Sequence, residues 1–190
     1  RVNSPKGQQL NYSDIEGDAY FGKFFITANI ENATSFIKTR YNMYTDTVEL
    51  MNEQDIFELP KSQKYSRISF LKPTLVLTYV TTGNIPMGYY FELATGKYTL
   101  LKKMQVEFRE GSPAVNSFTP AIAPKFENLK PIYYLKSDSE VIKLTKNVKD
   151  LANAMPDKKE EINDFVKKNN IKLNQDLDLI RLANFINASK

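Results

Sequence analysis

The chain of 190 residues has no histidine, no cysteine and no tryptophan. Without histidine, no side chain titrates near neutrality at its ordinary pKa. Without cysteine there is no thiolate nucleophile, soft metal ligand or disulfide. An enzyme built from these residues is left with paired carboxylates, a lysine-activated serine, or a hard-cation site of Asp and Glu. Long apolar runs are also missing: no stretch of 18 or more spans a bilayer. Charge of one sign is not concentrated. Residues 1–137 carry 16 basic and 13 acidic side chains, and residues 138–190 carry 10 and 9. A nucleic-acid partner is therefore not expected, because its affinity comes from a clustered basic stripe.

What is present is a change of period. Up to about residue 144 apolar residues recur every second position; beyond it they recur every third or fourth. This predicts an α+β protein: an antiparallel β sandwich or barrel, then a three-helix tail. The β-rich body is assigned to 1–144, with a Pro-rich connection over 109–131, and the tail to 145–190, packed on the body. Phe118, Ile122 and Phe126 are expected to lay that connection over the sheet.

Among the strands, Ile37, Thr39, Tyr41 and Met43 alternate with Phe36, Lys38, Arg40 and Asn42, and pair with Thr47–Met51 through the turn Tyr44–Asp46. Further strands are expected at Ala19–Thr27, Asp55–Leu59, Tyr65–Phe70, Thr74–Val80, Ile132–Lys136 and Val141–Leu144. A hairpin joins Gly88–Leu93 to Lys97–Met104 through Ala94, Thr95 and Gly96, with Gly96 as the left-handed residue. Pairing Leu93 with Lys97 puts Phe91, Tyr89 and Leu101 on one face and Tyr90, Tyr98 and Leu100 on the other, both expected to be at least partly buried. In the tail, Thr145 is expected to cap a helix burying Val148, Leu151, Ala152 and Met155. Asp157 opens a second that buries Ile162, Phe165 and Val166, and a third from Asn174 buries Leu177, Ile180, Ala183 and Phe185 or Ile186.

The stretch RYNMYTDTVELM at Arg40–Met51 and the segment MPDKKEEINDFVKKNNIKLNQDLDLIRLANFIN within the tail together resemble an uncharacterised family of exported Bacteroidetes proteins. The resemblance implies a β-rich body with a helical tail, and export to the periplasm or the outer-membrane face. It supplies no activity and no site residues. A start at Arg1 in place of Met is consistent with removal of an export signal.

Candidate chemistry is sparse. Ser35-Lys38 and Ser69-Lys72 have the S-x-x-K spacing of serine acylases but sit in strand-like sequence, where the lysine is not one helical turn away. Gly96-Lys97 lacks the remaining phosphate-loop residues. Asp14, Glu16 and Asp18 could offer oxygens to Ca²⁺, but a polar loop before the first strand is the better explanation. No metal or cofactor is expected. Tyrosine is the richer class, combining apolar area with a hydroxyl. Tyr41, Tyr44, Tyr89 and Tyr90 are therefore the candidate ligand-binding residues, edging an exposed recognition surface. The expected function is a non-enzymatic exported module that binds a protein or another cell-envelope component. A carrier of an apolar or sugar-like small ligand is the alternative, and a carboxylate-dependent hydrolase the third reading.

Overall fold

A computed structural model describes residues 1–3, 9–114 and 120–189. The chain is α+β: antiparallel strands followed by three C-terminal helices. The first strands are β1 (Val2–Asn3), β2 (Gln9–Leu10), β3 (Ile26–Ile30), β4 (Ile37–Asn42), β5 (Thr47–Asn52), β6 (Asp55–Glu58) and β7 (Arg67–Phe70). They continue as β8 (Leu75–Val80), β9 (Gly88–Ala94), β10 (Thr99–Lys103), β11 (Val106–Arg109), β12 (Lys125–Asn128), β13 (Ile132–Lys136) and β14 (Val141–Leu144). The helices are α1 (Val148–Ala154), α2 (Lys159–Lys168) and α3 (Asp176–Ala188).

These elements form two compact units, each assembled from separated stretches. The first comprises Arg1–Thr27, Ile37–Pro60 and Met104–Lys130. Its centre is the meander β4–β5–β6, with Arg40 opposite Glu49 and Glu49 opposite Glu58 on one face. On the other face, Tyr41 lies opposite Val48 and Leu50 opposite Phe57. The turn after β4 closes on Asp46, whose φ is 55°. Tyr41 secures that turn by donating its hydroxyl to Asp46 Oδ1 at 2.7 Å.

The expected strand over Ala19–Thr27 is not continuous. Gly22 takes a φ of 80° and breaks the extended path, leaving a single bridge between Tyr20 and Asn42 before β3 begins. Within 109–131, β12 pairs antiparallel with the preceding β11, placing Phe126 opposite Phe108. Phe126 is buried as expected, whereas Ile122 is exposed; Phe118 lies outside the described residues. Gly17 makes the approach of this pair possible: a Cβ there would meet the Phe126 carbonyl oxygen at 2.6 Å.

The second unit comprises Ala28–Phe36, Lys61–Lys103 and Pro131–Lys190. Its strands run antiparallel in the order β14–β13–β10–β9–β8–β7, with Ala28–Ile30 of β3 beside β7. The order does not return on itself, so this sheet is open rather than a barrel. The helices cover one face, where Leu100, Tyr133, Leu135 and Ile142 pack with Leu151, Ile162, Leu179 and Leu182. A smaller cluster of Val80, Ile85, Tyr90, Leu101 and Tyr134 lies on the other face. Burial on both sides of β9 and β10 matches the sequence expectation.

Three local expectations fail for identifiable reasons. The β9–β10 pairing is offset: Leu100 lies opposite Ala94 and Leu101 opposite Glu92, with a bulge between, so Leu101 shares a face with Tyr90 and not with Phe91. Helix α1 is capped by Asn147, whose Oδ1 accepts from the Lys149 amide at 3.1 Å. Thr145 instead braces that cap, accepting from the Asn147 amide and donating to Asp150 Oδ2. In α3 the buried set is Leu179, Leu182, Ala183 and Ile186, an i, i+3, i+4, i+7 face, while Leu177 is 76% exposed.

Polar clasps fix α3 on the sheet. Asp176, in its first turn, accepts from Lys102 Nζ and from the Tyr133 hydroxyl, both at 2.7 Å. Asn187, in its last turn, grips the Tyr98 backbone, accepting from its amide at 2.8 Å and donating to its carbonyl at 2.9 Å. Gly96 is required by this second clasp. It is absent from the left-handed glycines, but a Cβ on it would lie 2.5 Å from the Asn187 amide group. Gly96→Ala therefore displaces Asn187, and we expect a loss of about 1–2 kcal/mol from two buried-edge hydrogen bonds. Asn187→Ala should cost a similar amount, and urea titrations should show the double variant to be less destabilised than the sum. Additive losses would break the link between the two residues.

Candidate functional site

In the first unit, the sheet face carrying Arg40 and Glu49 is a fixed electrostatic layer. The Arg40 guanidinium stacks 3.6 Å above the Tyr20 ring and 4.4 Å from the Phe25 ring, and its Nη2 meets Glu49 Oε2 at 2.7 Å. The other Glu49 oxygen accepts from the Tyr20 hydroxyl at 3.0 Å. Burial, then the Glu49 charge, holds the Tyr20 hydroxyl well above its ordinary pKa, and burial also raises that of Tyr12. Beside this layer lies an open cleft of about 370 Å³. Tyr12, Tyr20, Asn42, Glu49 and Glu58 line it, together with the Arg1 side chain.

Glu58 belongs to β6, and β6 is unlike the other strands. All four of its residues are exposed, including Ile56 and Phe57, each 53% accessible on opposite faces. Among the described residues it pairs only with β5. The pairing also fixes which peptide groups face outward. Asn52 and Asp55 close a two-residue turn, and the Leu59 amide donates to the Val48 carbonyl at 2.8 Å. In an antiparallel ladder bonded residues alternate, so Asp55, Phe57 and Leu59 point their peptide groups at β5. The N–H and C=O groups of Ile56 and Glu58 point away from it. A row of outward backbone donors and acceptors flanked by apolar side chains is a template for another strand.

The second unit offers a different surface. A cleft of about 450 Å³ opens on the helix-free face, lined by hydroxyls such as Ser66, Thr78 and Thr99, with Lys97, Lys136 and Glu92. Glu92 sits on a central strand with its side chain only 8% exposed. Arg67 Nη1 donates to its Oε1 at 3.1 Å, and Arg67 Nη2 lies 2.7 Å from Oε2 in a contact too bent for a hydrogen bond. Burial pushes the Glu92 carboxyl up, and the Arg67 charge opposes that shift. Polar lining of this kind suits a hydroxyl-rich ligand and not an apolar one.

The tyrosines singled out in the sequence are mostly interior. Tyr41, Tyr89 and Tyr90 are each 1% exposed. The Tyr89 ring packs 5.0 Å from Tyr79, and Tyr90 donates to the Pro86 carbonyl at 2.6 Å. Tyr44 is half-buried, 5.3 Å from the Phe126 ring. Cross-strand pairing and face alternation put these rings in the core, where the Tyr41 and Tyr90 hydroxyls find local partners. The loop carboxylates are likewise local. Asp14 accepts from the Asn11 amide and Asp18 from the Tyr20 amide, and no three potential metal ligands converge among the described residues. Asp55–Glu58 was legible as a strand, but its outward edge was not, since neighbouring order is set by the whole sheet.

No family model, curated protein or solved structure matches this chain. No helix among the described residues is long and apolar enough to cross a membrane.

The tyrosine environments predict a pH dependence. A hydrogen bond to Glu140 at 2.6 Å, with burial, pushes the Tyr98 hydroxyl up to about 12. Tyr12, Tyr20, Tyr133 and Tyr134 are shifted in the same direction, chiefly by burial. A tyrosine whose folded pKa exceeds its unfolded value of about 10 adds stability that is fully present below pH 10. That stability is lost as pH rises through the folded value. Urea midpoints should therefore be insensitive to these groups up to about pH 9.5 and fall between about pH 10 and 12. A midpoint that rises over that interval would contradict the assignment.

Proposed function

We propose that this chain is a non-enzymatic recognition module that captures an extended segment of a partner polypeptide by strand addition at β6. The observation that carries the reading is an edge strand with an exposed apolar side chain on each face, and with the peptide groups of Ile56 and Glu58 directed outward. The resemblance of its sequence to exported proteins gives the setting, a partner in the periplasm or at the outer-membrane face.

Energetics favour a selective, modest interaction. Covering the remaining surface of Ile56 and Phe57 contributes about 1–3 kcal/mol together, and each added ladder hydrogen bond about 0.5–1.5 kcal/mol net. Against these stand the costs of association and of ordering the incoming segment, so micromolar or weaker affinity is expected. The four-residue length of β6, the charges of Asp55 and Glu58, and Pro60 just beyond limit indiscriminate pairing. One observation supports a carrier, the hydroxyl-lined cleft of the second unit, and it favours sugar-like over apolar cargo. The hydrolase reading finds Glu49 opposite Glu58, but both oxygens of Glu49 are already held, by Arg40 and Tyr20.

Proline discriminates the strand-addition reading. The Ile56 N–H faces away from β5, so Ile56→Pro removes an outward donor without breaking the β5–β6 ladder. Fluorescence anisotropy with a labelled nine-residue peptide centred on Ser-Val-Val-Ser should show binding to the natural chain. With the variant we expect at least a tenfold loss while the urea midpoint is kept. Phe57→Ser, which leaves the backbone intact, should weaken binding severalfold. Unchanged binding by both variants would overturn the proposal.

A further inference from the structure

We infer that the segment recognised at β6 carries the pattern cation–apolar–apolar–cation, and that its cation opposite Glu58 enters the cleft lined by Tyr12 and Tyr20. The inference rests on strand addition and adds the partner's chemistry. β6 reads Asp55-Ile56-Phe57-Glu58, and side chains directly opposite one another on neighbouring strands lie on the same face, about 5 Å apart. An added strand therefore meets a carboxylate, two exposed apolar side chains and a second carboxylate in succession.

The charge balance around the strand is one-sided. Between Asn52 and Pro60 there are three acidic residues, Glu53, Asp55 and Glu58, and no basic one. Arg40, on the same sheet face as Glu58, is already committed to Glu49. Among the described residues no ion pair involves Asp55 or Glu58. A cation opposite Glu58 lies over the cleft of about 370 Å³, where Glu58 supplies a carboxylate and Tyr12 an aromatic ring, while Glu49 and the Tyr20 ring are already engaged by Arg40. Arg1 lines the same cleft, but its guanidinium donates to Gln9 Oε1 at 2.9 Å rather than to Glu58. The same acidity disfavours a second copy of this chain as occupant, because edge-to-edge pairing would bring two sets of three carboxylates together.

Three nine-residue peptides that differ only at the flanking positions test this: Lys-Val-Val-Lys, Ser-Val-Val-Ser and Glu-Val-Val-Glu cores, measured by anisotropy at low salt. The lysine peptide should bind about tenfold more tightly than the serine peptide, from two exposed charge pairs, and the glutamate peptide more weakly than either. Raising the salt to 0.5 M, or combining Asp55→Asn with Glu58→Gln, should erase the difference while leaving the serine peptide's affinity. Equal binding of all three peptides, lost in Ile56→Pro, would refute the charge pattern and leave strand addition standing. A lysine preference that persists in Ile56→Pro would refute the placement at β6. Absence of binding by every peptide would refute strand addition and this inference together.

Discussion

A strand in an antiparallel sheet must bond its peptide groups on both sides or leave one row facing water. In the β4–β5–β6 meander of the first unit, that row falls on β6. The rest of the functional account follows from this constraint, because the β5 register decides which residues point outward, and they are Ile56 and Glu58. Two features sharpen the edge: half-exposed apolar side chains on both faces, and carboxylates with no cationic neighbour between Asn52 and Pro60. An edge protected only against aggregation needs the charges but gains nothing from Ile56 and Phe57. An edge that receives a particular strand uses both.

The tyrosines set the rigidity of the scaffold around this edge. Tyr20 and Arg40 stack while both engage Glu49, so the layer inward of Glu58 is fixed in place. Tyr41 ties the β4–β5 turn through Asp46, directly below that layer in sequence. In the second unit, Tyr98, Tyr133 and Tyr134 serve the sheet and its helices: Tyr133 meets Asp176 at the start of α3, and Tyr98 meets Asn187 near its end. A ring that buries its body and finds a polar partner for its hydroxyl is a core residue with a fixed direction.

This explains what was legible in the sequence. The β4–β5 hairpin was readable because strict alternation flanks a short turn, and the strand at Asp55–Glu58 because polar and Pro-containing breaks at Asn52–Gln54 and Pro60–Gln63 bound it. Strand β12 was hidden by Pro124 and Pro131 on either side, although neither proline falls inside it. The bulge between Leu100 and Leu101 reversed the faces expected for β10, since a period of two cannot announce where one residue is skipped. In α3, Leu177 and Leu179 compete for the buried stripe, and only packing against the sheet selects Leu179. Tyrosine exposure was the least legible property, because the same side chain suits a rim and a core. The edge of the sheet was likewise beyond local reading, as strand order is a property of the whole chain.

Amide hydrogen exchange at Ile56 and Glu58, followed by NMR with and without saturating Lys-Val-Val-Lys peptide, addresses the central claim at the atoms that carry it. Strand addition predicts fast exchange of both amides in the unbound chain and marked slowing on binding, with Asp55 and Phe57 little changed because their amides already face β5. Unaltered exchange at Ile56 and Glu58 under saturation, or slowing confined to residues away from β6, would contradict the account.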